Sequence, residues 1–277
     1  MSYPRIADYM SSPVVAVRPG DSLAHARRLM IRHRVGRLVV VDEAEKPVGV
    51  VTKADFLKLA SRRLRGRPLD SIPVAEVMTR EPVVAKPGWP LREAARLMLQ
   101  HGIGGLPVVG EDGRLVGIIT KTDVVRAYAE RLRGRGRAGD YMYSDAPRAS
   151  PSHSLAYVVE LLEGHPSRRV LVVDGGRLVG IIAPSDIAFA SPAAALEEKK
   201  RIRRFAELPK GRLGPVYEPL LPTAEDVMTR DPVSVAPESD LAEAAGLMIE
   251  HGFSSVPVVE EGAPLGVVVK HNILRAI

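Results

Sequence analysis

The sequence predicts an α/β (α+β) fold made of four copies of one β-α-β-β-α unit, and two independent sets of anchors carry that expectation. An Asp/Glu-hydrophobic-Met element recurs at Met10, Met78, Met142 and Met228, at intervals of 68, 64 and 86 residues. A hydrophobic-Gly-hydrophobic-hydrophobic strand recurs about 40 residues after each Met, at Gly49, Gly117, Gly180 and Gly266, at intervals of 68, 63 and 86. Both sets keep nearly the same spacing, and four copies of one small unit leave little chain for a separate catalytic domain.

Each unit reads in the same order. In the first copy Pro13 to Val17 is a short apolar run ended by Arg18-Pro19-Gly20, a strand and turn. A helix follows, for which Asp21 is the expected N-cap. In later copies its apolar stripe is Leu91, Ala94, Ala95, Met98; then Leu155, Val158, Val159, Leu162; then Leu241, Ala244, Ala245, Met248. Spacing of i, i+3, i+4, i+7 puts four apolar groups on one helical face. His33, His101 and His251 fall near the helix end, where a polar or cationic group suits the negative end of the dipole and a ligand contact is the alternative.

Two strands come next, exemplified by Leu106–Val109 and Leu115–Ile119, joined by the turn residues Gly110-Glu111-Asp112-Gly113. A second helix begins at Thr120-Lys121-Thr122-Asp123. One unit of about 55 residues buries too little surface to be secure alone, so neighbours are expected to pair.

Composition bounds the function. The chain has 277 residues, 45% hydrophobic and 26% charged, as in an ordinary globular protein. No apolar run approaches 18 residues and MSYPRIADYM lacks the features of a leader, so no membrane partner is expected and the location is expected to be cytoplasmic. Absence of Cys excludes disulfides, thiolate metal sites and Cys nucleophiles. Gln100 and Asn272 are the only side-chain amides, as expected of a thermophile protein, although the bias toward Arg also fits genome composition. No Walker Lys-Ser/Thr, metal-spaced His pair or Ser/His/Asp context is present, so the expectation is that the chain is not an enzyme and holds no metal.

Charge is concentrated in three windows: 61–67 with Arg62, Arg63, Arg65 and Arg67; 131–137 with Arg131, Arg133, Arg135 and Arg137; and 199–212, which includes Lys199, Lys200, Arg201, Arg203 and Arg204. They hold 4, 4 and 7 basic residues with Glu207 as the sole acid, so these 28 residues carry +14 of a chain whose net is +6, and the remainder carries −8. Missing compensation points to an anionic partner, with RNA phosphates the leading candidate and binding through the backbone of structured RNA favoured because few aromatics are interleaved. Solubilisation, or pairing with the acidic repeats, is the alternative.

The Met element, the Leu-Pro-Val-Val strand and the Gly-hydrophobic-hydrophobic-Thr-x-x-Asp ending, in that order, resemble the cystathionine-β-synthase (CBS) motif. The matching segments are 6–60, 74–129, 138–191 and 224–277. The resemblance implies two tandem CBS-pair modules, residues 1–130 and 138–277, separated by a basic linker at 131–137, with a basic connector at 192–223 inside the second. It further implies clefts for an adenosine nucleotide (AMP, ADP or ATP) or S-adenosylmethionine as a regulatory ligand.

In that family the Asp of the ending binds ribose and the Thr faces phosphate, which maps onto Thr52 and Asp55, and onto Thr120 and Asp123. The same Ser/Thr-x-x-Asp pattern is a helix capping box, and both roles are compatible. Repeat three keeps Asp186 but has Ala183 for Thr, and repeat four has Val269 and Asn272, so ligand binding is expected to be best in the first module. Arg37 and Arg169 stand where the γ subunits of AMP-activated kinase place a phosphate-binding Arg; repeats two and four have Gly105 and Ser255 there. Val14, Val15, Leu38, Val83, Val84 and Leu106 are expected in the core, a few of them flanking adenine. Family resemblance leaves two partner classes, a regulated protein or the ribosome and its rRNA as in archaeal tandem-CBS hibernation factors, with a homodimer also compatible.

Overall fold

The computed structural model describes residues 3–60, 66–189, 201–208, 212–219 and 222–277, with side chains left undescribed at 57–60, 188–189, 201–208 and 212–219. These residues group into two compact units, Met1–Leu132 with Ile273–Arg275 and Ile277, and Arg133–Asn272 with Ala276.

The first unit runs β1 (Ala16–Val17), α1 (Leu23–Arg32), β2 (Arg37–Val41), β3 (Pro47–Thr52), a 3-10 helix (Lys53–Ala60), β4 (Thr79–Arg80), α2 (Leu91–Gln100), β5 (Gly105–Val109), β6 (Leu115–Thr120) and α3 (Lys121–Arg131). β1 is parallel to β2, and β2 pairs antiparallel with β3. The fourth strand of that sheet, β4, comes from the next repeat, with Gly49 opposite Arg80 and Val50 opposite Thr79. The exchange is reciprocal: Ser11 of the first repeat bridges Ile118 in β6 of the second.

Helix entries are exchanged too. Leu23 N–H, at the start of α1, donates to Ile72 O at 2.9 Å, and Leu91 N–H, at the start of α2, donates to Pro4 O at 2.9 Å. Ile72, Val74, Val77 and Met78 accordingly belong to the same buried cluster as Leu23, Ala26, Met30, Leu38 and Val40. The first strand is shorter than the Pro13–Val17 run, since only Ala16 and Val17 pair with β2. The N-cap of α1 is Ser22 rather than Asp21: His25 N–H donates to Ser22 Oγ at 3.2 Å, while Asp21 Oδ2 accepts from Arg18 N–H at 2.7 Å and ties the preceding turn. Helix geometry explains the shift, because the cap oxygen must reach the third helical N–H and the helix opens at Leu23.

The second unit repeats the plan with α4 (Ala138–Tyr141), β7 (Arg148–Ala149), α5 (Leu155–Gly164), β8 (Val170–Asp174), β9 (Arg177–Ile182), α6 (Pro184–Phe189), β10 (Arg201–Leu208), β11 (Arg212–Pro219), α7 (Ala224–Val227), β12 (Thr229–Arg230), α8 (Leu241–Glu250), β13 (Ser255–Glu260), β14 (Ala263–Val269) and the first residues, to Asn272, of α9 (Lys270–Arg275). Its sheet has the order β12-β9-β8-β7, so the strand from the fourth repeat again completes the sheet of the third. β10 and β11 form an antiparallel pair, from Arg201 opposite Pro219 to Leu208 opposite Arg212. The sequence predicts only a basic connector here, and the strand pair is a finding of the structure. The stripes of α2 and α8 are buried along their whole length, whereas in α5 Val158 and Leu162 are buried and Leu155 and Val159 half-buried.

Candidate functional site

All four repeats end their last strand in the same local device. Asp55 Oδ2 accepts from the N–H and hydroxyl of Thr52 at 2.8 and 2.7 Å, and Asp123 Oδ2 from those of Thr120 at 2.8 and 2.6 Å. Asp186 Oδ2 accepts from Ala183 N–H, and Asn272 Oδ1 from Val269 N–H, both at 2.7 Å. One side-chain oxygen therefore caps the entry of the helical turn in every repeat, whether the residue is Asp or Asn. The repeats differ in the hydroxyl, present at Thr52 and Thr120, and in the charge, absent at Asn272.

In the first unit a cleft of about 420 Å³ opens beside this device, within the usual size range of small-ligand pockets. Arg37 and Thr52, opposite each other on β2 and β3, line it from the first repeat. Its apolar walls are Val50 from that repeat and Pro82, Val83, Ile103 and Pro107 from the second. Asp55 lies behind Thr52, buried to 7% exposure.

Arg37 opens β2 and crosses to the entrance of β5. A Cβ at Gly104 would lie 2.6 Å from Arg37 Nη2, and one at Gly105 would also collide with the guanidinium, so two glycines make its seat. Burial lowers the Arg37 pKa, and the charge of Asp123 partly restores it. Burial likewise lowers Lys121, with Arg37 repelling its proton further. Two partly desolvated cations thus share this end of the unit, which favours an anion there.

The second unit carries the equivalent cleft, smaller at about 190 Å³. Asp186, Ala183 and Ile181 come from the third repeat; Pro232, Val233, Phe253 and Pro257 form walls from the fourth. Val233 and Phe253 keep 40% and 36% exposure, and the Phe253 ring stacks on His251 with centroids 5.1 Å apart. Arg169 occupies the place of Arg37 but faces serines: its Nε donates to Ser255 Oγ at 2.8 Å and its Nη2 to Ser254 Oγ at 2.5 Å. Burial lowers the Arg169 pKa, Asp186 opposes that shift, and Arg168 reinforces it.

The structure thus brings Thr52 and Arg37 to one cleft, with Asp55 beneath, and Asp186 to the other, with Arg169 anchored to its serine rim. Asp123 acts on Arg37 through its charge and also meets Arg126 Nη1 at 3.4 Å. Of the candidate adenine-flanking residues, Leu38 and Leu106 are fully buried core, Val83 lines the cleft, and Val14, Val15 and Val84 are half-buried. His33, His101 and His251 cap α1, α2 and α8, their backbone N–H groups closing the last turns, and His101 also lines the first cleft.

Sequence reasoning missed Pro82, Ile103 and Pro107, and with them Pro232, Phe253 and Pro257. Their signal is the similarity of alternate repeats: Met78-Thr79-Arg80-Glu81-Pro82-Val83 against Met228-Thr229-Arg230-Asp231-Pro232-Val233, and His101-Gly102-Ile103 against His251-Gly252-Phe253.

Among the basic windows, Arg67 is engaged within its own unit, its Nη1 and Nη2 donating to the Glu76 carboxylate at 2.8 and 3.1 Å and Nη2 also to Ser71 O at 2.8 Å. Tyr9 Oη donates to Glu130 Oε2 at 3.0 Å, and Arg131, Arg133, Arg135 and Arg137 are all exposed. Arg62, Arg63, Arg65, Lys199 and Lys200 lie outside the described residues, as do the side chains of Arg201, Arg203 and Arg204. No helix among the described residues is long and apolar enough to cross a membrane.

A family model described as the CBS domain matches residues 6–62, 74–130, 138–193 and 224–277. Protein MJ1225 of Methanocaldococcus jannaschii is 26% identical over 275 residues, spanning 95% of this chain and 94% of its own. Its crystal structure superposes with a TM-score of 0.69 at 24% identity, covering 98% of this chain and 99% of that one. A 33.4 kDa protein in the ribosomal RNA operon of Thermofilum pendens is 28% identical over 279 residues, 96% of this chain and 88% of its own. A conserved protein from Pyrococcus horikoshii shares the fold with a TM-score of 0.71 at 19% identity, over 99% of this chain and all of that one. Four matched segments account for most of the sequence, and the chain belongs to the CBS domain family, with four CBS domains in tandem.

Proposed function

We propose that this is a non-enzymatic regulatory protein of the cytoplasm whose two CBS-pair modules, residues 1–130 and 138–277, bind adenosine nucleotides and report their level to a partner. One observation supports the reading: Arg37 and Thr52, paired across β2 and β3, line the same cleft as the apolar Val50, Val83 and Ile103. A guanidinium and a hydroxyl suit a phosphate, an apolar slot suits a base, and a carboxylate at Asp55 suits a ribose diol. Asp123 with Thr120, and Asp186 with Arg169, are the counterparts in the remaining repeats. The ligand class, AMP, ADP, ATP or S-adenosylmethionine, is what family membership implies.

Titration calorimetry of the full chain with each of the four compounds tests this. Binding weakened by Arg37→Ala and Thr52→Ala is expected. Absence of heat and of thermal stabilisation with all four would end the proposal.

A second reading, an RNA- or ribosome-binding inhibitor of translation, is favoured by the run of four exposed arginines from Arg131 to Arg137. It is compatible with the first, since an RNA contact can be the output of a nucleotide sensor.

A further inference from the structure

The two units differ at one matched pair of positions on the second repeat's strand entrance, and that difference decides what the facing arginine does. In the second unit Arg169 meets Ser254 and Ser255, and each of its three guanidinium nitrogens is used: Nε by Ser255 Oγ, Nη2 by Ser254 Oγ and Nη1 by Arg168 O, at 2.8, 2.5 and 2.7 Å. In the first unit Arg37 rests on Gly104 and Gly105, which offer no side-chain acceptor. Among the described residues its guanidinium makes no hydrogen bond, and it faces a 420 Å³ cleft shared with Thr52. A half-buried guanidinium with no protein acceptor stays available to a ligand, and an entering phosphate supplies several acceptors at once. The second cleft lacks both devices, having Ala183 where Thr52 stands, and it is less than half the size.

We propose that these two positions set the ligand class of each unit. Gly104-Gly105 leaves Arg37 available to the phosphate of a nucleotide. Ser254-Ser255 sequesters Arg169, so the second cleft takes an adenosine compound without a phosphate, held by Asp186 against Val233 and Phe253. Ser254 and Ser255 act through Arg169 and are positioning residues. The inference rests on the reading of both clefts as adenosine sites, and adds which of them reads the phosphate.

The test compares AMP with adenosine by calorimetry on the full chain. Gly104→Ser is the first variant: the three atoms nearest its Cβ all belong to the Arg37 guanidinium, and Ser254 shows that a side chain is accepted at the matched position. It is expected to weaken AMP by roughly ten- to a hundredfold, the loss of a charge-assisted contact, and adenosine by far less. Ser254→Ala with Ser255→Ala removes both acceptors while keeping backbone preferences, and is expected to add a second AMP site to the chain. An unchanged ratio of AMP to adenosine affinity in both variants, with melting temperatures like the wild type, would overturn this inference and leave the sensor reading intact if AMP binding still requires Arg37. If the wild type binds neither compound, this inference falls, and the sensor reading falls with it only when ADP, ATP and S-adenosylmethionine also give no heat.

Discussion

The sulfur of Met78 lies directly over Gly49: a Cβ at position 49 would sit 2.6 Å from Met78 Sδ. Met10 stands in the same relation to Gly117, Met228 to Gly180 and Met142 to Gly266. The two residues that mark every repeat are therefore partners across a pair, each Met packing on the strand glycine of the other repeat. Shared spacing follows from that contact, because the Met-bearing segment must reach the neighbour's sheet and the glycine must leave room for the sulfur.

Gly49→Ala should accordingly destabilise the first unit by about 1–3 kcal/mol through overpacking. Met78→Ala will also destabilise, through lost packing. In the double variant the costs should fall short of additive by about 0.5–3 kcal/mol, since one change relieves the clash the other creates. Denaturant unfolding of the four proteins measures the coupling. Additive costs would mean the sulfur simply swings aside.

A single repeat should not fold. Residues 1–66 contain α1 but lack Ile72 O, which receives Leu23 N–H, and lack Val74, whose N–H donates to Asp21 O at 2.8 Å. They also lack Ile72, Val74, Val77 and Met78 from the core of their own helix. Circular dichroism of this fragment is expected to show no cooperative melt. A sharp transition would show that β1 to β3 suffice without the exchanged segment.

Capping and ligand binding by Asp55 can be separated because Asn272 already performs the cap without a charge. Asp55→Asn should keep the bond from Thr52 N–H and melt like the wild type, while Asp55→Ala should cost about 0.5–2 kcal/mol of stability. If the carboxylate also holds a ribose, Asp55→Asn will weaken AMP by roughly tenfold, as one charge-assisted hydrogen bond predicts. Equal AMP affinity in the wild type and the Asn variant would reduce Asp55 to a cap.

What the sequence disclosed was periodic, and what it hid was brought together across repeats. The stripe Leu91, Ala94, Ala95, Met98 is readable because helix geometry imposes its spacing, and all four are buried. Thr52 and Asp55 are readable because capping is local. Arg37 on Gly104 and Gly105 is not: the seat lies some 67 residues away in sequence, and nothing in a glycine pair names the side chain that will rest on it. The cleft walls at Pro82 and Ile103 are hidden for the same reason, being loop residues with no period of their own, whereas Val83 is within reach of the sequence. In the β10–β11 pair, dense positive charge outweighed the β-forming Ile202, Phe205, Val216 and Tyr217 in the reading of that segment.

The basic surplus has two physical explanations that one experiment separates. Arg67 illustrates the intramolecular one, with both terminal nitrogens bound to the Glu76 carboxylate. Arg131, Arg133, Arg135 and Arg137 illustrate the other, being exposed within seven residues of chain. Four such charges close together attract a polyanion, and their contribution to RNA binding must be steeply salt-dependent because phosphate contacts release counterions. Replacing all four with Gln should lower RNA affinity in a filter-binding assay and flatten its dependence on salt, by about one unit of logarithmic slope for each phosphate contact removed. AMP binding should survive, since none of the four lines the first cleft. Wild-type protein that retains no RNA at low salt would assign the surplus to intramolecular pairing of the Arg67–Glu76 kind and make a protein the expected partner.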